Sequence, residues 1–364
     1  MQRYKLNGES ITYFDWTGQF TQGYSSQRLQ EFVSYYSNQM SYQEVEKLVA
    51  RNQGEEILSE QSIWNIVTGK AEIMSKQLSE EVKQTLEGYE SDSLKVNSEI
   101  DIYDPDEKEI LIFDDGIQVK GQQENRRKRS RGEDLPTEKY TKAPRVNTDV
   151  VILETSTGGF EYIVAPLADE DNTRPTLGQV VKAKVIQEYG NQESPLNIVA
   201  ITDGARTIRL RLLSIFSSAI IIILDWYHLG KKVRELMSMI ARNKQEKSEH
   251  LKFLFYNLWR GETQKVLDYL RNQVQSKNPD KLKDLIEYIQ KHEAEIINYE
   301  RRKKAGKTIG SGRVEKGADR VVGYRQKKKG MSWRSVGSHS LALLKVIELN
   351  GHWQQLWFPN SSAA

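Results

Sequence analysis

The chain has 364 residues, and its 38% hydrophobic and 28% charged residues are typical of a folded globular protein with two or three domains, not of a disordered chain. It contains no cysteine, which excludes disulfides, thiolate zinc sites and a cysteine nucleophile. The longest apolar run, Ala219 to Leu224, is far shorter than the roughly 20 residues of a membrane span, and Met1 to Gly8 lacks an apolar signal core, so we expect a cytoplasmic protein without a membrane partner.

Charge is distributed unevenly along the chain, although the net charge is only +3. Residues 1–100 contain 9 Lys and Arg against 15 Asp and Glu, whereas residues 301–334 contain 13 Lys and Arg against two acids. A second basic cluster consists of Arg126, Arg127, Lys128, Arg129 and Arg131. A basic run is usually a solvated loop, but two such clusters, each near a candidate acidic site, favour a polyanionic partner.

Three amphipathic helices are predicted in the first quarter of the chain. Ser26 to Gln39 carries apolar residues at three- and four-residue spacing, Ser41 to Glu44 has the pattern of a capping box, and Ser59 caps a third helix after a break at Asn52 to Gly54. This order predicts a helix-turn-helix region with Ser59 to Lys70 as the helix that enters the major groove of DNA. A plain helical bundle is the alternative, which the acidic balance of the region favours.

Strand-forming residues dominate the next part of the chain, after a polar and acidic stretch that is expected to be a linker. Five strands are predicted from their β-branched and aromatic residues: Glu109 to Lys120, Val150 to Thr155, Gly159 to Pro166, Asn197 to Thr202 and Ala219 to Leu224. A helix at Leu177 to Tyr189 separates the third strand from the fourth, and a second helical stretch precedes the fifth. This order predicts an α/β fold with a mixed sheet flanked by helices, as in a ribonuclease-H-like domain.

An all-helical insertion is predicted from Lys231 to about Lys304, where charged residues and periodic leucines continue with little interruption. The glycine-rich stretch Gly306 to Gly312 ends it, and a helix is expected to resume over Arg313 to Gln326. Glycines there would let the backbone approach the sheet closely.

Three acidic residues lie at positions in the predicted sheet domain where a carboxylate charge must be compensated by a cation. Asp115 lies in the first strand, Asp203 at the exit of the fourth, and Glu315 on the helix after the glycine-rich stretch. Aspartates on adjacent strands repel each other, and a divalent cation is the usual partner that resolves the repulsion. Hard oxygen ligands suit Mg²⁺ or Mn²⁺, and three carboxylates can hold two ions.

Several short motifs occur in the same order, namely Phe113-Asp114-Asp115-Gly116, Thr202-Asp203-Gly204-Ala205, Leu224-Asp225-Trp226-Tyr227-His228, Ile309 to Glu315, and Lys329 to Trp333. In combination they resemble bacterial insertion-sequence transposases of the Kra type, relatives of the Mutator-like group, over Glu109 to Leu349. The resemblance implies a ribonuclease-H-like fold with a helical insertion before the last acid. It also implies that Asp115, Asp203 and Glu315 form the acidic triad.

Two assignments within the resemblance have alternatives. Asp114 could replace Asp115 as the first ligand, but Asp115 shares strand parity with Phe113 and Ile117 and directly precedes a glycine, as Asp203 does. Asp225 and His228 match the family's signature of aspartate or cysteine, two residues, and histidine. A histidine at the start of a helix is more often a capping or packing residue, and we expect His228 to position DNA or the carboxylates and not to act as an obligatory base.

Basic and aromatic residues around Glu315 are candidates for DNA contact. Arg313, Lys316 and Arg320 repeat at helical spacing. The full predicted set is Arg126, Arg127, Lys128, Arg129, Arg313, Lys316, Arg320, Arg325, Lys327, Lys328 and Trp333. The cations would neutralise phosphates, and Trp333 would stack on a base unless it is a core residue.

These expectations describe a DNA transposase that binds double-stranded transposon ends, hydrolyses phosphodiesters and joins the freed 3′-hydroxyls to target DNA, as a homodimer or larger assembly at the bacterial nucleoid. The alternatives are a structure-specific nuclease without strand transfer and a catalytically silent DNA-binding protein. The expected domains are a helix-turn-helix region (1–90), a linker (91–108), the first part of the catalytic core (109–230), the insertion (231–305), the last core helices (306–350) and a tail (351–364).

Overall fold

The computed structural model describes residues 25–89, 94–122, 144–327 and 330–359, together with backbone strands at 3–6, 9–12 and 20–21. Within these ranges no helix is long and apolar enough to cross a membrane. The predicted basic residues Arg126, Arg127, Lys128, Arg129 and Lys328 lie outside them.

Two short antiparallel strand pairs precede the first helix. Strand β1 (Arg3–Leu6) pairs with β2 (Glu9–Thr12), and β3 (Phe20–Thr21) pairs with β4 (Ser25–Ser26). Sequence patterning does not predict them, because none of these segments is long enough to show a clear two-residue period.

The second and third N-terminal helices begin after Ser41 and Ser59, the serines that were predicted to cap them, and the first begins after Ser26, where the helical pattern was predicted to start. They are α1 (Gln27–Ser37), α2 (Tyr42–Gln53) and α3 (Glu60–Glu87), and the capping box of Ser41 with Glu44 is present. Helix α3 buries Ile63 and Val67 in one core with strand residues of the sheet, so these helices do not form a separate bundle. The capped starts are confirmed, whereas a DNA-reading role for the helices stays a prediction.

The central sheet contains β5 (Ile110–Lys120), β6 (Arg145–Glu154), β7 (Phe160–Ile163), β8 (Ile198–Thr202) and β9 (Ile221–Leu224). Its order is β7-β6-β5-β8-β9. The pairs β5–β6 and β6–β7 are antiparallel, whereas β5–β8 and β8–β9 are parallel. The predicted mixed sheet of an α/β fold is confirmed, and this arrangement is compatible with a ribonuclease-H-like domain.

The two faces of the sheet bury alternate residues against different helices. Ile112 and Ile198 face helices α4 (Leu177–Tyr189) and α5 (Arg206–Phe216). Phe113 and Ile201 face the helices that follow β9. Neighbouring residues of one strand therefore meet different chemical environments, which decides the roles of the two adjacent aspartates on β5.

The segment that was expected to be a linker packs against the domain over its described part, residues 94–108, and at the adjacent Glu109. Val96 forms a bridge to Leu196, and Ile100 and Ile102 are buried in the core. Arg302, fully buried, donates to both carboxylate oxygens of Glu109 at 2.8 and 2.6 Å and to the Ile102 carbonyl at 3.1 Å. These contacts fix the segment to the domain, so the described part is not a free linker. The linker was predicted from the acidic composition of the segment, although two of its isoleucines belong to the core.

The predicted helical insertion is present between β9 and the last acid. Its helices are α6 (Trp226–Ile240), α7 (Lys244–Leu258), α8 (Thr263–Asn272), α9 (Pro279–Lys291) and α10 (Tyr299–Lys304). Tyr299 donates a hydrogen bond of 2.7 Å to the Leu224 carbonyl, and its ring packs against Trp226. The insertion is thus attached to the end of β9.

The predicted helix over Arg313 to Gln326 is interrupted by a π-helical turn. It consists of α11 (Gly312–Ala318), the π turn Asp319–Gly323 and α12 (Tyr324–Gln326). Helix α13 (Ser335–Leu349) then packs on α3, and α14 (Trp353–Trp357) ends the described chain. The π turn begins four residues after Glu315, and turns of this kind often occur at functional sites.

Candidate active site

The pairing of β5 with β8 places two of the predicted acids side by side. Asp114 is opposite Thr202 in the parallel register, so Asp115 is the next residue of β5 and Asp203 directly follows the last residue of β8. Asp115 Oδ1 accepts the Gly116 N–H at 2.8 Å, and Asp203 Oδ1 accepts the Ala205 N–H at 2.7 Å. Both carboxylates are therefore held by local backbone at the carboxyl end of the parallel strands, where α/β proteins commonly bind ligands.

The turn after Asp203 requires a glycine. Gly204 has a φ of +82°, and a Cβ there would lie 2.7 Å from Cε1 of His292. A side chain would be both strained and in collision with this ring. Because residue 204 is a glycine, the turn after β8 can pack closely against the end of α9 in the insertion.

Asp225 connects the insertion to the helix that carries Glu315. Its Oδ1 accepts the backbone N–H of His228 at 2.8 Å and caps α6, and its Oδ2 accepts the backbone N–H of Ser311. A Cβ on Gly310 would lie 2.7 Å from the Tyr227 ring, so a glycine is needed for this close approach. Buried Asp225 thus positions His228 and the start of α11 with two bonds from one carboxylate.

His228 lies between two of the acids. Its Nε2 is 3.5 Å from Oε1 of Glu315, and its Nδ1 is 3.7 Å from Oδ1 of Asp225. The second distance is too long for a hydrogen bond, and Nδ1 is buried without a hydrogen-bond partner among the described residues. The Asp225 contact, followed by the charges of Glu315 and Asp203, raises the pKa of His228 against the opposing effect of burial.

Electrostatics distinguish the clustered acids from the capping acid. Burial, followed by the charge of Asp203, raises the pKa of Asp115 to about 6, with a further increase from Glu315 and a decrease from His228. For Asp225 burial also raises the pKa, but hydrogen bonds from His228 and Ser311 outweigh it and lower the pKa to about 2. Of these two acids, Asp115 is consequently the one whose charge the protein compensates less.

Asp114, the alternative first ligand, belongs to a different cluster. Arg211 Nη1 donates to its Oδ1 at 2.9 Å and to its Oδ2 at 2.7 Å, and Arg211 Nη2 contacts Asp149. Burial raises the pKa of Asp114 to about 7, and Arg211 opposes this shift. The structure therefore places Asp115, and not Asp114, beside Asp203 and Glu315.

The donor set can be compared with the needs of a metal ion. In the described ranges no group of three histidine, aspartate or glutamate side chains is arranged so that it could hold an ion as it stands. The chemistry nevertheless fits a hard divalent cation, because burial and then the carboxylates of Asp203 and Glu315 raise the pKa of Asp115. The Glu315 side chain is 52% exposed and contacts His228, so solvent surrounds much of this carboxylate.

Four of the predicted DNA-contacting cations are exposed on or just after α11. Arg313 lies over the Phe160 ring, with its guanidinium carbon 3.7 Å from the ring centroid. Arg320 donates to the Tyr162 hydroxyl at 3.2 Å. Lys316 and Lys327 are exposed as well. Arg313 and Arg320 therefore lie along β7, on the same helical segment as Glu315.

Two other predicted DNA contacts are wrong, because their side chains belong to the core. Trp333 is 8% exposed, and its Nε1 donates to the Gln326 carbonyl at 3.0 Å. Arg325 is buried, donates from Nε to the Ser37 carbonyl at 2.6 Å, and lies over the Trp333 ring at 4.9 Å. Arg325 attaches α12 to the end of α1, whereas Trp333 packs against Arg325 and forms a bridge to Gly121 after β5, so neither side chain is free to face a nucleic acid.

A cleft of about 380 Å³ next to Asp203 and His228 contains residues that sequence reasoning missed. Lys231 and Lys232 line it from α6, and Lys291 and His292 line it from the end of α9. The lysine pair follows closely after the His228 motif and could have been noticed, but in a uniformly charged helical segment it is not distinctive. The approach of α9 depends on tertiary packing and leaves no local pattern.

Comparisons with protein-family models, with curated proteins and with solved structures found no match for this chain. The resemblance to Kra-type transposases therefore stays a prediction from the motifs.

Proposed function

We propose that the chain is a metal-dependent DNA transposase of the acidic-triad class, which hydrolyses a phosphodiester at a transposon end and joins the resulting 3′-hydroxyl to target DNA. The observation that carries the proposal is the convergence of Asp115, Asp203 and Glu315 at the carboxyl end of the central parallel strands, with His228 beside Glu315. Like charges gathered in one place are costly unless a ligand uses them, and they are typical of functional sites.

Each site residue has a distinct role in this proposal. Asp115, Asp203 and Glu315 would hold Mg²⁺ or Mn²⁺, two ions in all, and bound ions supply the charge that activates an attacking oxygen and stabilises a leaving one. His228 orients the Glu315 carboxylate from 3.5 Å and, when protonated, can donate to a phosphate oxygen. Asp225 keeps His228 and α11 in place through its two backbone hydrogen bonds.

Double-stranded DNA is the proposed partner. The exposed cations Arg313, Lys316, Arg320 and Lys327 would neutralise phosphates beside Glu315, which gives affinity without sequence preference. For end recognition we propose the helix-turn-helix of α2 and α3, because Gln61 and Asn65 on the exposed side of α3 carry amides suited to adenine in the major groove. Two ends must meet at one target, so the active form would be a homodimer or larger assembly.

The proposal is tested with labelled duplexes taken from the DNA on both sides of the gene, where inverted repeats should lie. The full chain is incubated with uncut duplex, or with a pre-cut duplex that has a free 3′-hydroxyl, together with a target plasmid and Mg²⁺ or EDTA. We expect nicking of the first substrate and joining of the second, both only with the metal. Nicking without joining would identify a structure-specific nuclease, and binding without either reaction a catalytically silent DNA-binding protein.

A further inference from the structure

The cleft beside Asp203 has a wall of lysines that the proposed catalytic residues leave without a role. Lys231 and Lys232 extend from the second turn of α6, and Lys291 is the last residue of α9. All three are exposed, and within the described ranges none of them forms an ion pair. Three solvated ammonium groups around one concave surface, adjacent to a carboxylate site, raise the local concentration of anions.

The position of this wall relative to the acids is fixed by a buried network. His292, next to Lys291, is buried; its Nδ1 lies 2.5 Å from Oε2 of Glu295, and Oε1 of Glu295 lies 3.2 Å from Nη1 of Arg209 on α5. The same imidazole packs against Gly204, the residue after Asp203. Because one ring contacts both the insertion and the Asp203 turn, the end of α9 cannot move away from the acid without breaking buried contacts.

The cleft also contains acids, which limit what it can bind. Asp203 and Glu235 face it together with the three lysines. In the proposed function Asp203 is a metal ligand, which leaves two acids to oppose the lysine wall: Glu235 within the cleft, and Asp284 on α9, whose charge interacts with that of Lys232. The exposed basic residues of α11 and its continuation do not line the cleft, so its lysines form a separate positive region.

We propose that this cleft binds the phosphodiester backbone of the DNA strand adjacent to the scissile phosphate, with Lys231, Lys232 and Lys291 contacting successive phosphates. The inference rests on the proposed function for the identity of the ligand as DNA. It assigns to the helical insertion a direct role in holding the substrate, with His292 as a positioning residue behind the lysine wall.

The test measures DNA affinity as a function of salt, without metal, so that no cleavage is required. The probes are a fluorescein-labelled blunt duplex, the same duplex with a 3′ single-stranded extension, and the single strand alone, each titrated with full-length protein in EDTA. The cleft variant is Lys231→Gln with Lys291→Gln. The matched control is Lys95→Gln with Lys108→Gln, which removes two exposed lysines near the opposite, amino-terminal ends of β5 and β8.

For the cleft variant we expect the slope of log K against log salt to become shallower by about 2, and the affinity to fall by roughly tenfold. The reason is that binding releases about 0.9 fewer counterions from the DNA for each phosphate contact that is lost. The control should match the wild type, and thermal melting should show that both variants are folded. A loss confined to the extended and single-stranded probes identifies an unpaired strand in the cleft, and a loss with all three identifies duplex; both outcomes support the inference.

Equal slopes for the cleft variant and the wild type would overturn it. If the wild type binds DNA and the plasmid assay shows metal-dependent cleavage while the cleft slope is unchanged, the inference alone fails. If the wild type binds none of the three probes, the proposed function fails and the inference fails with it.

Discussion

Asp114 and Asp115 are neighbours on one strand, yet their surroundings differ in the one property that matters for a carboxylate, the source of positive charge. Asp114 is 1% exposed and receives two hydrogen bonds from Arg211. Asp115, on the opposite face, lies near Asp203 and Glu315, and the imidazole of His228 is the cation that lowers its pKa. One aspartate has its counter-ion built into the fold, whereas the other lacks an equivalent one.

The difference teaches how a structural acid can be told from a functional one. The buried ion pair of Asp114 with Arg211 needs no ligand to account for it, because each partner compensates the charge of the other, and removing either one leaves a buried charge unpaired. A cluster of acids around Asp115 destabilises the folded chain at neutral pH and is therefore best explained by a cationic ligand that uses it. The following predictions test whether the two faces of β5 differ in this way.

The largest expected effect is on catalysis at the Asp115 face. Replacing Asp115, Asp203 or Glu315 singly by alanine should reduce nicking and joining by about a thousandfold or more, and the double replacements should be scarcely worse, because residues that act as one unit are not additive. Initial rates of plasmid nicking in Mg²⁺ and in Mn²⁺ measure this. Asp319→Ala, at an exposed acid one turn after Glu315, is the control and should lose little. Robust cleavage by Glu315→Ala would show that the site is misplaced.

On the Asp114 face the large effect is on stability. Arg211→Leu leaves the buried Asp114 carboxylate without its partner and should lower the free energy of unfolding by about 3–5 kcal/mol. Urea unfolding followed by circular dichroism measures the loss. Adding Asp114→Leu to this variant removes the unpaired charge and should recover part of the stability, as a double-mutant cycle reports. A double variant no more stable than Arg211→Leu would mean that packing, not the charge pair, dominates.

Removing the charge of Asp115 should have the opposite sign. Its folded pKa of about 6 lies above the ordinary value, so the native protein releases this proton less readily than the unfolded chain and loses stability as the pH rises from about 4 to 6. In EDTA at pH 7.5, Asp115→Asn should therefore be more stable than the wild type by about 1–2 kcal/mol, after allowance for partial exposure. The gain should vanish near pH 4. Thermal melting of both proteins at pH 7.5 and at pH 4 measures this difference in stability. A variant Asp115→Asn that is less stable than the wild type at pH 7.5 contradicts the proposed repulsion.

The smallest expected effect concerns His228. Contact with Asp225 raises its folded pKa, so the stabilisation is fully present below the unfolded value near 6.5 and is lost as the pH rises through the folded pKa. His228→Asn should cost about 0.5 kcal/mol at pH 6 in EDTA, because solvent reaches the partly exposed imidazole and screens its charge, and the cost should shrink with increasing pH. Chemical denaturation of the wild type and of His228→Asn at pH 6 and at pH 9 measures this cost. A cost that increases with pH would contradict the proposed attraction between His228 and Asp225.

Local patterns predicted much of the fold and part of the site. Serine caps and two-residue strand periods depend on adjacent residues, and they correctly placed the helix starts at Ser41 and Ser59 and the parity of Asp115 on β5. The burial of Trp333 and the approach of His292 to Gly204 depend on distant segments that pack together, so no local pattern could show them.

The most direct test of the account is whether the cation that it requires binds on the Asp115 face of β5. Calorimetric titration of Mn²⁺ into the wild type, Asp115→Asn and Asp114→Asn, each shown to be folded by circular dichroism, compares the two faces in otherwise identical proteins. We predict saturable binding by the wild type and by Asp114→Asn, and its loss in Asp115→Asn. Binding that survives in Asp115→Asn but disappears in Asp114→Asn, or a wild type that binds no Mn²⁺, would contradict the claim that Asp115, Asp203 and Glu315 form a metal-dependent site.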